Sequence, residues 1–364
     1  MATLGPNDLK QFALPTYWDA AELEKYRLAD GTTYDALIAD IGSALAMANA
    51  RLMADPIMAS LCSITTEMAV EYRIGVSNGF EAHTEYGRPD AKRGATTGHM
   101  LPLNGYDRAF GWTWDFLRKA RRSQIDADIA SGIDDLRDKF EQQVLTRLFK
   151  STYTAVGSSG RSMPWADGGT AEATYVPVAY PERGGTFLYT HDHIEPLNGI
   201  TQTNLETAVL DLWEHGMDGP FELLVSATDI SSWTDVTSVT GFVPKASPMI
   251  RYGLTQDLAQ LGDDYLGAVE TDYGLCVLRA TGRIPTAFWA VYKSYGAGDQ
   301  RNPLKVRVGD YGLGAILLAG DHIREYPLEN CILFTEFGVG VGEDRTAAIV
   351  VKNTSGSYAD PTIS

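Results

Sequence analysis

The sequence predicts an α+β fold, and three observations carry that prediction. Residues 123–150, SQIDADIASGIDDLRDKFEQQVLTRLFK, repeat apolar side chains at steps of three and four: Ile125, Ile129, Ile133, Leu136, Phe140, Val144 and Leu148. That period marks a helix with one buried face. Residues 60–75 and 103–117 are rich in β-branched and aromatic residues and flank a polar, glycine-rich stretch, which predicts a long two-stranded hairpin. The second half carries short apolar runs bounded by turn residues, FELLVSATDI, YGLCVLRATGRIPTAFWAVY and CILFTEFGVGVGEDRTAAIVVKN, which predict buried strands.

Taken in order, residues 1–34 mix proline, glycine, aspartate and aromatic residues with weak periodicity, and are expected to form an extended arm that needs a neighbouring surface to order it. In YDALIADIGSALAMANARLM (34–53), Leu37, Ile41, Leu45, Ala48 and Leu52 share one helical face. Asp55-Pro56 ends that helix, because the residue before a proline is pushed out of the α region. The hairpin of 60–117 has the polar tip SNGFEAHTEYGRPDAKRGATTGHM. A lone hairpin is marginal in water, so this one must rest on its parent domain or on another subunit. For the helix of 123–150, Ser123 is the candidate N-cap, and Asp126 and Asp128 suit the positive end of its dipole. At 1.5 Å per residue that helix would reach about 40 Å. Residues 154–187 are dense in turn formers. TQTNLETAVLDLWEHG (201–216) reads as a capped helix with Leu205, Val209 and Leu212 as its stripe and Gly216 at its end. FGVGVGEDR (337–345) reads as a tight hairpin turn between two strands.

Composition narrows the function. The chain has 364 residues, 44% hydrophobic and 21% charged, as a folded globular protein does. No run of 18 apolar residues suggests a membrane-spanning helix, and the first residues show no secretory leader. Without such a leader, the sequon at Asn353 is expected to be a chance match. Cys62, Cys276 and Cys331 are scattered without CxxC spacing, which points to reduced, buried thiols. A net charge of −17 argues against tight wrapping of nucleic acid. The basic runs at 118–122 and 91–93 are too short to reverse it.

The segment most like an enzyme is YTHDHIEP (189–196). Its first residues match the T-H-x-H of metallo-β-lactamase-type hydrolases, but Ile194, Glu195 and Pro196 replace the continuation that supplies further ligands. The other histidines, His83, His99, His215 and His322, are dispersed. His191 and His193 are therefore weak metal candidates, with a metal-dependent hydrolase as the alternative they would support, and a polar strand-to-loop corner is favoured. FGVGVGEDR lacks the Lys-Ser/Thr of a phosphate loop. Neighbouring carboxylates such as Asp134-Asp135 and Asp263-Asp264 diverge and serve as solvated faces. No catalytic residue and no cofactor is expected. In the tip RPDAKRG, Arg88, Lys92 and Arg93 place positive charge on a very acidic protein, a docking point for the acidic surface of a like subunit.

These stretches together resemble the major capsid proteins of tailed double-stranded-DNA bacteriophages, whose Hong Kong 97-type fold is shared with encapsulin nanocompartments. An arm precedes a long hairpin, placed like that family's extended loop, and the helix of 123–150 follows at once like its spine helix. GSSGRSMPWADG with YVPVAYPERGGTFLYTHDHIEPLNGITQTNLETAVLDLWEHG is similar to the approach to the axial domain, and LENCILFTEFGVGVGEDRTAAIVV to the closing peripheral strands. The resemblance implies an arm and helix (1–56), an extended loop (57–117), a peripheral domain (118–196 and 301–364) and an axial domain (197–300). It implies self-assembly as hexamers and pentamers into an icosahedral shell around a phage genome, in the virion and assembled in the host cytoplasm, with no sequence-specific DNA binding and no membrane. Portal and scaffolding proteins, and cement proteins in some members, would be its partners. A cargo-loading encapsulin-like shell is the nearest alternative. Ile129, Ile133, Leu136 and Phe140 would seat the spine helix, and Phe12, Tyr17 and Trp18 of the arm would clasp a neighbour.

Overall fold

A computed structural model of the chain describes residues 28–74, 95–152, 154–156, 160–166, 192–245, 265–319 and 328–363. In chain order these form helices α1 (Tyr34–Leu52) and α2 (Pro56–Leu61), then strands β1 (Cys62–Thr65), β2 (Ala69–Ile74), β3 (Ala95–Met100) and β4 (Asn104–Thr113). Helices α3 (Trp114–Lys119) and α4 (Arg122–Phe149) follow, then strands β5 (Thr154–Val156), β6 (Gly160–Ser162) and β7 (Ile194–Leu197) and helix α5 (Gln202–Glu214). Strand β8 (Phe221–Ser226), the short helix α6 (Ile230–Trp233) and strands β9 (Phe242–Pro244), β10 (Tyr265–Thr271), β11 (Gly274–Thr281) and β12 (Phe288–Tyr292) come next. Strands β13 (Leu304–Val308), β14 (Ala315–Ala319), β15 (Leu328–Val341) and β16 (Ala348–Asn353) complete the chain. The contacts divide it into two compact units.

One unit holds residues up to Ala50 with Gly105–Arg137 and Gly314–Thr335. Helix α1 buries Leu37, Ile41 and Leu45, the stripe read from the sequence. Near its end Asn49 both donates to and accepts from the backbone of Ala315 at 2.9 Å, fixing the helix to the start of β14. Strand β14 pairs antiparallel with β15, from Ala315↔Thr335 to Ala319↔Cys331. The predicted strand of 103–117 stops at Thr113: its hydroxyl accepts from the Phe116 amide at 3.1 Å, and this cap turns the chain into α3. Helix α4 also starts one residue before the expected cap. Ser123 lies inside it, and the first turn is closed by Asp30, which accepts from the Arg122 amide at 2.8 Å, and by Gln124, which accepts from the Arg121 amide at 2.9 Å. Asp126 and Asp128 accordingly do other work: Asp126 pairs with Arg122 at 3.4 Å, and Asp128 accepts from the Trp112 indole at 2.9 Å. Gly132 lets the helix approach closely, since a Cβ there would stand 2.7 Å from Phe110 and 2.8 Å from Leu333.

The other unit holds Arg51–Asn104, Asp138–Leu313 and Glu336–Ser364. Its centre is a seven-stranded mixed sheet in the order β7-β16-β12-β8-β11-β10-β9. Helix α5 lies on it, capped by Thr201, whose hydroxyl accepts from the Asn204 amide at 3.2 Å, and ended by Gly216 at φ +85°. Leu205, Val209 and Leu212 enter one core with Phe221, Leu223, Val225, Trp233, Trp289, Ile349 and Val351. Each such side chain contributes about 2 kcal/mol by leaving water. Between β8 and β11 the buried Arg279 and Glu222 form an ion pair at 2.8 Å.

Two expectations need correction in this unit. The predicted long strand of 60–75 is a helix and two strands. Asp55 caps α2 through the amides of Ile57 and Met58 (2.9 and 3.1 Å), β1 then pairs parallel with β13, and only β2 enters the hairpin, opposite β3. The break falls where the Thr65 hydroxyl accepts from the Glu67 amide at 3.1 Å. On the return side Leu101-Pro102 separates β3 from β4, because proline has no amide to donate to a ladder. The hairpin stem is thus shorter than the predicted arm, and its base is held by its own unit. His99 contacts the Val341 carbonyl at 2.9 Å, Arg307 donates to the Leu101 carbonyl at 3.1 Å, and Leu101 is buried.

The glycine-rich FGVGVGEDR is the second correction. It does not join a hairpin, because β15 pairs with β13 and β16 pairs with β12 and β7 in another sheet. Gly338 and Gly340 sit inside β15 for a packing reason. A Cβ at Gly338 would lie 2.2 Å from the Pro102 carbonyl oxygen, and one at Gly340 would lie 2.5 Å from Leu101. The glycines make room for the base of the hairpin stem.

Candidate functional site

Of the two metal candidates, His191 lies outside the described residues and His193 is fully buried. His193 stands just before β7, its carbonyl accepting from the Val350 amide at 2.9 Å and its own amide donating to Ala166 at 2.8 Å. Its Nδ1 is 3.1 Å from the Ala348 carbonyl and its Nε2 is 2.9 Å from Nε2 of His215. A carbonyl can only accept, so His193 carries its proton on Nδ1 and His215 donates from Nε2. Both ring nitrogens of His193 are therefore committed to protein partners. The polar corner expected here is a buried polar seam.

The same seam holds two carboxyls. Glu195 of β7 and Asp211 of α5 lie near enough for each to shift the other's ionisation. Burial first, then the charges of Glu195 and Glu214, push Asp211 up to about 8. Burial, followed by Asp192, raises Glu195. Asp211, raised this far, keeps its proton at neutral pH. His215, Glu195 and Asp211 were missed in the sequence. Their signal was the pairing of H-x-E on a strand with D-x-x-x-H on a helix. Among the described residues no cluster of three or more His, Cys, Asp or Glu side chains is arranged to hold a metal ion.

The other candidates are distributed as follows. Ile129, Leu136 and Phe140 of α4 are buried and Ile133 is half-buried. Phe140 meets Phe337 edge-on at 5.5 Å. Asp134 and Asp135 diverge, towards Arg137 and Arg108 respectively. Cys62 and Cys276 are free and buried, and burial pushes both thiols up. Arg88, Lys92, Arg93, Phe12, Tyr17 and Trp18 lie outside the described residues, as does Asp263-Asp264. No described helix is long and apolar enough to cross a membrane.

No protein-family model matches the chain, and no curated protein does. Solved structures do. A chain from Mycobacterium phage Patience aligns with 92% of this chain and 93% of its own length, at 21% identity and a TM-score of 0.62. The capsid of a native GTA particle covers 83% of this chain and 91% of its own at 12% identity and a TM-score of 0.48. The SrpI encapsulin of Synechococcus elongatus covers 85% and 92% at 13% identity and 0.45. The likeness to the Patience chain runs nearly end to end and shows a common α+β fold.

Proposed function

We propose that this chain is a major capsid protein, a structural subunit whose copies assemble as hexamers and pentamers into an icosahedral shell around a double-stranded-DNA phage genome. The observation that carries this reading is the fold shared with the Mycobacterium phage Patience chain over 92% of the sequence. In this reading residues 1–56 are the arm and its helix, 57–117 the extended loop on the stem β2–β3, 118–196 and 301–364 the peripheral domain, and 197–300 the axial domain. Arg88, Lys92 and Arg93 at the loop tip pair with an acidic surface of the next subunit, and Phe12, Tyr17 and Trp18 of the arm clasp a neighbour. Closed symmetry would cover such appendages. A net charge of −17 keeps a wall of such subunits from adsorbing DNA tightly. Portal, scaffolding and cement proteins are the further partners this reading brings, with assembly in the host cytoplasm. No residue is assigned a catalytic role.

Negative-stain microscopy of the expressed full-length chain tests the proposal. Closed particles or capsomers are expected, whereas a monodisperse monomer at every concentration would overturn it. The contents of such particles then separate two kinds of shell: packaged DNA for a phage capsid, a cargo protein for an encapsulin-like compartment.

A further inference from the structure

Strand β14 (Ala315–Ala319) stands at the end of its sheet: it pairs with β15 on one side, and no described strand lies on the other. Along an antiparallel pair, residues that bond their partner alternate with residues whose peptide groups face outward. Asn49 shows which are which. Its side-chain amide donates to the Ala315 carbonyl and accepts from the Ala315 amide, both at 2.9 Å, so the peptide groups of Ala315 face away from β15. Ile316 and Leu318 then exchange bonds with Phe334 and Ile332, while Leu317 and Ala319 face outward like Ala315. Among the described residues no backbone group bonds the outward amides and carbonyls of Leu317 and Ala319.

Edge strands are ordinarily blunted by charge, proline, a bulge or a covering segment. The sequence AILLA has neither charge nor proline, its register with β15 is unbroken, and Asn49 covers only its first residue. What the open stretch can accept is set by its own bounds. Asn49 closes it at Ala315, and the strand ends at Ala319. Between these limits Leu317 and Ala319 each offer one donor and one acceptor. A second copy of the same stretch, turned antiparallel about a two-fold axis at position 318, sets Leu317 opposite the partner's Ala319 and Ala319 opposite the partner's Leu317. Each of these pairs exchanges both of its bonds, so every outward group on the two strands is satisfied. Both Asn49 side chains stay outside the shared ladder. The edge is thus complementary to itself, as an isologous contact requires.

We propose that β14 is a homotypic docking edge, on which two copies of this chain join by antiparallel pairing of residues 317–319, with Asn49 of each copy fixing the register. The uncharged strand suits this partner, because two copies of a chain with a net charge of −17 meet best where neither presents charge. The inference rests on the shell reading for bringing copies together, and it adds which strand joins them and in what register.

Leu318→Cys in the full-length chain tests it. Position 318 faces itself across the axis as a non-bonded pair, with Cα atoms about 4.5 Å apart, within the roughly 4.4–6.8 Å that a disulfide spans. Oxidised glutathione should link assembled chains into dimers through position 318, located by peptide mapping, at a yield about tenfold above that of Leu317→Cys. Leu317→Pro removes an outward donor and no bond to β15, so it should fold with an unchanged circular dichroism spectrum and lower the recovery of assembled particles several-fold. The amides of Leu317 and Ala319 should exchange freely in dilute subunits and become protected on assembly. Particles that form without the 318 link, or in normal yield from Leu317→Pro, would overturn the pairing and leave the shell reading standing. Protection of both amides in dilute subunits would also overturn it, and would assign the edge to the chain's own residues 1–27. A chain that stays monomeric at every concentration would remove both proposals. If Leu317→Pro does not fold, the two cysteine variants still decide.

Discussion

Ala287 is the described non-glycine residue with a positive φ, +71°. It is held there from both sides, its amide donating to Asp229 at 2.7 Å and its carbonyl accepting from the Asn353 amide at 2.7 Å. A left-handed alanine costs 1–2 kcal/mol, partly offset in a glycine by greater freedom of the unfolded chain, so Ala287→Gly should stabilise by about 0.5–1 kcal/mol. Urea denaturation checks this, and a loss of stability would show that the β-carbon packs usefully. His99 bears on acid stability instead. It is buried against Tyr72, and burial, with Arg345 and Arg147 near, lowers its pKa to about 4. A base with a depressed native value contributes fully above its unfolded value near 6.5, and that contribution is lost as pH falls towards 4. Acidifying from pH 7 to 4 should therefore cost roughly 3 kcal/mol through this side chain, a loss reduced in His99→Gln. Equal acid sensitivity in the two proteins would count against it.

Strands and helices reveal which local signals were legible. Helical periodicity located α1, α4 and α5 because it is written every three or four residues and needs no partner. Strand boundaries were less legible. The break between β1 and β2 depends on β13 drawing one piece into a different ladder, and the stop of β4 depends on a single cap at Thr113. FGVGVGEDR was misread as a turn because glycine signals both turns and close approach, and only the neighbour distinguishes them. Gly338→Ala should accordingly destabilise by about 3 kcal/mol, since its Cβ would meet the Pro102 backbone rather than a movable side chain. Thermal unfolding measures this, and a near-neutral result would mean that the base of the hairpin stem can shift.

Over the whole molecule, the described part of the predicted arm is the stem β2–β3, whose base its own unit holds, and residues 75–94 between its strands lie outside the described residues. In the proposed shell the tip is an assembly contact. Reversing Lys92 and Arg93 to glutamate should leave the subunit folded, with an unchanged circular dichroism spectrum, and should reduce shell yield at least several-fold by electron microscopy. The effect should grow at low ionic strength, where charge pairs act over longer distances. Shells in normal yield would remove the tip from the list of assembly contacts.

By itself the sequence determined the α+β class, the buried faces of three helices, the absence of a complete metal signature around His193, and a resemblance to shell-forming proteins in element order. These are properties of local period, composition and succession. The tertiary structure alone decided that His193 binds Ala348 and His215, that Asp30 caps α4, and that Gly338 and Gly340 make room for Leu101 and Pro102. His193 and Ala348 are 155 positions apart, and no periodicity reaches that far. Such contacts arise when packing brings distant segments together, because burial then obliges every polar group to find whichever partner the fold has placed beside it.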